Sequence, residues 1–340
     1  MLDVLEANEL LERAEELCRA GHYYELDGWL RDLPTEAAEC SPDFLYLQAK
    51  ANMHLGKFRK ALALVSEAYI HIDYGINGAQ HRRYVNLRGV IMLELGQVQA
   101  AEECFAEVAW QAHAFGDRRE CAISNMNLGV AADVQCEWES AVVAFTRAIG
   151  SFEQIGESGW IARCRHNLGM TYRQLGQYTV ALMNFDQALT GLTAYGARSE
   201  VLRCLGERAL LFQFGGDHDA AAKLAASALM EATSIADYPS VAELLRVNGI
   251  IKRASEDVEV ARGLFVRGLR LARRQGSAML EAELLEEIAM CEVVRQRPRS
   301  AEIALERAAR IFVGIGAAMR ARAAQKRFDA CTAAVSSARG

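Results

Sequence analysis

Asn167-Leu168-Gly169-Met170-Thr171-Tyr172-Arg173-Gln174-Leu175-Gly176-Gln177-Tyr178, followed by Ala181, Phe185 and Ala188, is the stretch that decides the fold. Its spacings of 4 and 3 put the apolar residues on one face of a helix, and Gly176 interrupts the pattern as a helix stop would. Stepping outward by 40 residues in either direction finds the same pattern again. Ala181 belongs to the series Ala61, Ala101, Ala141, Ala181, Ala221, Ala261 and Ala301, which runs without a slip. Four residues after each stand Val65, Phe105, Phe145, Phe185, Ala225, Phe265 and Leu305. Three further on come Ala68, Val108, Ala148, Ala188, Ala228, Gly268 and Ala308. Twelve before each anchor lies a small-residue column: Ala49, Gly89, Gly129, Gly169, Ala209, Gly249 and Ala289.

A fixed long period of this kind marks a chain of stacked supersecondary units. Each unit reads as a first helix of about 17 residues, a tight turn and a second helix of about 18. The turn carries Gly56, Gly96, Gly176 and Gly216, with Cys136, Glu256 and Gln296 at the same phase elsewhere. A second column, Gly116, Gly156, Gly196, Gly276 and Gly316, ends the second helix; Ala236 is its exception and Gly75 comes one residue early. Small residues at the first column and the anchor let two helix backbones approach, and the aromatic fills the space left between them.

These columns resemble the tetratricopeptide repeat family, whose spaced Leu-Gly, Tyr, Gly, Tyr, Ala, Phe and Ala pattern residues 167–188 match almost position for position. Asn127-Leu128-Gly129 with Trp138, Ala141, Phe145 and Ala148 is nearly as good. The departure is the period, 40 here against the family's usual 34, which is similar to the long-repeat branch found in signalling scaffolds and sensor modules. The resemblance is strong over 44–310. It implies an all-α, right-handed α-solenoid of antiparallel helix pairs over residues 1–340. Residues 1–40 form an atypical first unit and 41–316 seven 40-residue repeats. Residues 317–335 form a capping helix and 336–340 a tail. Pro34 and Pro42 punctuate the first join.

In the family the first helices line a concave groove. Carried over residue by residue, that surface holds Asn86, Asn127, His166, Asn167, Arg173, Arg246 and Arg253, with Arg83, Arg163 and Arg203 one turn further N-terminal. An apolar stripe of Val90, Val130, Met170 and Leu210 runs beside them and reads either as groove wall or as plain inter-repeat core. Arginine suits carboxylates, methionine suits adaptable packing, and an asparagine amide offers a donor and an acceptor to an extended backbone. The resemblance therefore implies a protein or peptide-binding scaffold, with an acidic or mixed peptide across residues 80–255. A ligand-sensing regulatory module, with a small-molecule or peptide effector, is the alternative.

Composition narrows the remaining classes. The net charge is −6, and no basic face recurs on every unit, because Glu243, Glu283, Glu286 and Glu287 occupy the later ones; nucleic acid is not the expected partner. No H-E-x-x-H, G-x-S-x-G or P-loop is present, so neither an enzyme nor a cofactor or metal is expected. Nine scattered cysteines without C-x-x-C fit a reducing compartment, and the acidic start Leu2-Asp3-Val4-Leu5-Glu6 is no signal peptide; the expectation is a cytoplasmic chain with no membrane span. Cys164 and Cys204 share a phase with Ser124 and Tyr84, which reads as a core column. Residues 1–40 carry eleven acids against three arginines and 299–340 eight bases against three acids, an asymmetry that leaves room for self-association.

Overall fold

The computed structural model describes residues 4–19, 22–33, 41–70 and 78–337, and every regular element among them is helical. The first helices are α1 (Val4–Arg19), α2 (Tyr23–Arg31), α3 (Pro42–His54), α4 (Phe58–Ile70), α5 (Gly78–Glu94) and α6 (Val98–Ala114). The middle of the chain forms α7 (Arg118–Val134), α8 (Trp138–Ile155), α9 (Ser158–Gln174), α10 (Tyr178–Tyr195), α11 (Arg198–Phe214) and α12 (His218–Ser234). Then follow α13 (Tyr238–Ala254), α14 (Val258–Gln275), α15 (Ala278–Val294), α16 (Pro298–Gly314) and α17 (Ala318–Ser337). Consecutive helices pack pairwise into an α-solenoid. From α5 to α16 every helix is 17 or 18 residues long, as the period requires.

The period is built at the turns. Gly176 has φ 73°, its N–H donates to the Arg173 carbonyl at 3.1 Å, and the Gln177 N–H donates to the Tyr172 carbonyl at 2.9 Å. This left-handed closure satisfies the carbonyls that a helix end leaves open. Cys136, Glu256 and Gln296 take the same conformation, with φ of 62°, 64° and 62°, although each carries a Cβ. The second column behaves alike: Ala236, its exception in sequence, has φ 54°. Gly75 and Pro34 lie outside the described residues. Pro42 is the first residue of α3, where a missing N–H costs nothing, and the Ser41 hydroxyl accepts from the Asp43 N–H at 3.3 Å.

Within each pair, volume is conserved across two columns. All seven anchor alanines are fully buried. A Cβ on Gly89, Gly129 or Gly169 would land 2.6–2.8 Å from the ring of Phe105, Phe145 or Phe185, and Gly249 is pressed equally against Phe265. Where the small residue is alanine, the partner shrinks: Ala49 goes with Val65, Ala209 with Ala225, Ala289 with Leu305. Filling the same gap twice is strongly penalised in a close-packed interior, so the columns vary together. Cys164, Cys204, Ser124 and Tyr84 are fully buried, and burial pushes the Cys164 and Cys204 thiols up to about 12, which leaves them unreactive.

Helices α1 and α2 pack on α3 through an apolar cluster with Ala14, Leu26, Phe44 and Leu47, and one buried carboxylate ties α2 on further. Asp27 of α2 accepts from Asn52 at 2.7 Å, Lys57 at 3.0 Å and Lys60 at 3.1 Å, joining α2 to α3 and α4. Burial alone would raise its pKa, but the hydrogen bonds from Lys57, Asn52 and Lys60 overcome that and hold it at about 2.

The solenoid turns far enough to meet itself. Gln275, at the end of α14, packs on Gly56, and a Cβ on Gly56 would lie 2.6 Å from its Cγ. Ile315 and Ala278 press on Gly96, while Leu95 approaches Gly276 and Val98 approaches Gly316. Arg320 of α17 reaches Asp133 at 3.3 Å and the carbonyls of Val134 and Asp133 at 3.2 and 3.4 Å, across 187 residues of chain. Val134 itself packs against the core formed by α13 to α17. This seam joins the turns around α3–α7 to those around α14–α17 and encloses a lumen.

Candidate functional site

The lumen is a cavity of about 780 Å³ lined mainly by first helices of successive pairs and by α17. Its apolar wall includes Met126, Val130, Met170, Leu210 and Ile250, with Tyr178 and Phe214 stacked at 5.5 Å between ring centres. Val130, Met170 and Leu210 thus face the lumen while also serving the core; Val90 packs only in the core around α5 and α6.

Seven of the ten residues expected at the groove line this cavity: Arg163, His166, Asn167, Arg173, Arg203, Arg246 and Arg253. The other three do not. Asn127 is buried and donates from Nδ2 to Asn86 Oδ1 at 2.8 Å, so these two amides bond neighbouring helices instead of offering themselves to a ligand backbone. Arg83 is exposed and lies over the Tyr46 ring at 4.9 Å. Asn167, one repeat beyond Asn127, keeps its side-chain amide free of any hydrogen bond among the described residues and remains available in the lumen.

The arginines are not free cations. Arg163 donates from Nε and Nη2 to Glu200 at 3.3 and 3.2 Å and stacks over Trp160 and Tyr195. Arg173 pairs with Glu207 at 2.9 Å, Arg203 with Glu243 at 3.8 Å and Arg253 with Glu287 at 2.8 Å. Arg246 reaches Glu207 at 3.7 Å and Glu283 at 3.3 Å. From α17, Arg320 bonds Glu283 at 3.1 Å, and Arg327 bonds Glu286 and Glu287 at 2.8 and 3.0 Å. Altogether seven arginines face eight carboxylates, so the lumen is nearly neutral, and the arginine column by itself gives no basis for an acidic ligand.

The sequence already puts Glu243, Glu283, Glu286 and Glu287 on this face; what motif reading passed over is their pairing with the arginines, together with Arg320 and Arg327. A signal for them does exist in the spacing. Arg253 and Glu287 are 34 residues apart, and Arg163 and Glu200, like Glu283 and Arg320, are 37 apart. One period less one or two helical turns is the offset at which adjacent first helices face each other.

Burial shapes the charges further. Glu243 and Glu286 are pushed up to about 7, chiefly by loss of water, and Arg203 and Arg327 only partly restore them. Glu207 and Glu287 are more deeply buried than Glu243, yet Arg173 and Arg246 hold the first below the usual carboxylate range, and Arg327 and Arg253 the second. His166, tilted against Phe185 with an unpartnered Nδ1, is pulled down to about 4 by burial and by Arg203, so it is neutral at physiological pH.

Residues 119–194 and 160–229 match the tetratricopeptide repeat family model. The repeats across residues 119–229 are tetratricopeptide repeats. No curated protein matches the sequence. Among solved structures, this solenoid is similar to a Rap protein complexed with competence and sporulation factor. Identity is 15%, the alignment covers 92% of this chain and 98% of that one, and the TM-score is 0.69. It is also similar to the Rap conjugation regulator of plasmid pLS20 in complex with the Phr* peptide, at 14% identity, 81% and 74% coverage and TM-score 0.66. The third is NprR in complex with its cognate peptide NprX, at 15% identity, 89% and 84% coverage and TM-score 0.57. At such identity the likeness is one of fold. Among the described residues no helix is long and apolar enough to cross a membrane.

Proposed function

We propose that this chain is a peptide-binding regulatory module that takes a short peptide into its lumen. The observation that carries this reading is the cavity itself: about 780 Å³, walled by Met126, Met170, Leu210 and Ile250 and edged by Asn167, His166 and paired arginines. That volume lies within the range of about 300–1,000 Å³ typical of ligand sites, with apolar walls and a few placed polar groups. Two of the structural relatives, the pLS20 regulator and NprR, were solved with a peptide bound. A free amide at Asn167 can both donate to and accept from a peptide backbone.

The regulatory half of the proposal rests on a shared pair of residues. Asp133 and Arg320 line the lumen and also close the seam. A ligand that favours one arrangement of that pair shifts the balance between closed and open solenoid, and a partner that reads the outer surface would sense the change.

Equilibrium selection from a random-sequence library of short peptides tests the binding half, with wild type compared against Met170→Trp, which fills the lumen. Peptides retained by wild type and lost from the variant support the reading. If wild type retains none, or both proteins retain the same set, the lumen is not a peptide site.

A further inference from the structure

Two aromatic rings stand open inside the lumen. Among the large apolar side chains that line it, only Tyr178 and Phe214 are exposed, at 47% and 48%; Met126, Leu210 and Phe312 are buried and the rest are half-covered. Tyr178 begins α10 and Phe214 ends α11, so the rings meet where the turns of successive repeats edge the cavity. Their planes lie 25° apart with centres at 5.5 Å, a near-parallel stack about half of whose surface stays open. Neither ring belongs to the apolar cores of the neighbouring pairs, so the fold gains little from them beyond their mutual contact. Open aromatic surface of this kind inside a cavity marks a binding surface.

A second observation falls on the same edge. Trp138 holds the phase of Tyr178 one repeat earlier and also lines the lumen. Its indole Nε1 is buried and makes no hydrogen bond among the described residues. An indole N–H can only donate and is normally paired when buried, so this edge offers a donor as well as a ring stack. Building on the peptide-binding reading, we infer that the ligand carries an aromatic side chain that stacks on Tyr178 and Phe214, and a main-chain carbonyl that accepts from Trp138. A flat, stiff ring covers such a stack more fully than a branched aliphatic chain, and it gains ring–ring attraction beyond the area it buries. A lysine or arginine lying over the rings is the competing occupant, and the test separates the two.

The test selects a random-sequence library of short peptides on wild type and measures the binders on Phe214→Ala, Phe214→Leu, Tyr178→Phe and Trp138→Phe. Both stacked rings are half open, so the variants should keep the circular dichroism of wild type. The expected binders are enriched in phenylalanine, tyrosine or tryptophan at one position. Phe214→Ala should weaken them about tenfold or more, Phe214→Leu should recover only part of that, and Tyr178→Phe should bind as wild type does. Trp138→Phe keeps a ring and removes the donor, which should weaken binding about threefold to tenfold. A double-mutant cycle between Phe214 and the peptide's aromatic residue, each cut to alanine, excludes an indirect loss: if the two touch, the second truncation costs much less than the first. Binders with no aromatic preference, binders enriched in lysine or arginine, or strictly additive losses in the cycle overturn this inference and leave the peptide reading standing. Unchanged binding to Trp138→Phe overturns the indole contact. No binder on wild type overturns both readings.

Discussion

Two sets of turns in this molecule share one backbone conformation and differ in what surrounds it. Gly116, Gly156, Gly176, Gly196 and Gly216 have φ of 69–87°, and a Cβ added to any of them would meet nothing within 4 Å. Gly56, Gly96, Gly276 and Gly316 have φ of 71–78°, and at each of them a Cβ would approach a residue from the far end of the chain. In the first set glycine answers only a local demand, the left-handed helix stop. In the second it also makes room for closure. The repeat alone builds a solenoid; the residues at its two ends decide that the solenoid meets itself.

The contrast is broken most sharply by substituting one turn from each set. Gly176→Ala meets only backbone strain and should cost about 1 kcal/mol. Gly96→Ala carries the same strain and drives its methyl into Ile315, so overpacking adds to it and the total should reach about 2–4 kcal/mol. Urea denaturation gives the two costs, and small-angle scattering should show a larger radius of gyration only for Gly96→Ala. Equal costs and equal radii would mean that the seam does not hold the ends together.

Much of this fold stands in plain view in the sequence, for a physical reason. Helix stops and backbone approach require particular residue types at particular phases, so Gly169 with Phe185, or Ala209 with Ala225, announce their contact from 16 residues away. Closure has no such column. It results from a small rotation summed over many pairs, and neither Gly96 nor Ile315 differs from its counterparts in other repeats in a way that names the other. The site divides along the same line. Arg163, Arg203 and Arg246 sit on first helices and therefore face inward wherever the superhelix leads. Their charge state depends on acids a repeat away, and Asn127 was lost to Asn86 because two amides on adjacent first helices satisfy each other before any ligand does.

Arg320 sharpens the comparison electrostatically. Among the described residues it is the charged side chain that crosses the seam, with Asp133 on one side and Glu283 on the other. Arg320→Ala leaves Asp133, whose side chain is 13% exposed, with the Thr171 hydroxyl at 2.8 Å but no ion pair, and should cost about 2–3 kcal/mol at neutral pH. The pH dependence identifies the cause. Burial already raises the Asp133 pKa, with Arg320 pulling it back, so the variant raises it further. A carboxyl whose folded pKa exceeds its unfolded value loses stability as pH climbs from the ordinary value of 3.8 through the folded one. The penalty of Arg320→Ala should therefore be smallest near the acid end and grow towards neutrality. A penalty independent of pH would assign the loss to packing of the arginine stem.

The smallest effect tests the local half of the contrast from the opposite direction. Glu256 stands at the turn phase with φ 64°, is exposed and makes no ion pair among the described residues, so nothing but its Cβ distinguishes it from Gly176. An L-residue held there costs roughly 1–2 kcal/mol of strain. Glycine removes that strain and gives back part of it through the greater freedom of the unfolded chain. Glu256→Gly should stabilise the protein by about 0.5 kcal/mol, seen as a small rise in the urea midpoint with no change in radius of gyration. A loss of stability would mean that the glutamate side chain, and not the helix stop, is what this turn retains. In that case the glycines of the central turns would need a reason beyond their φ.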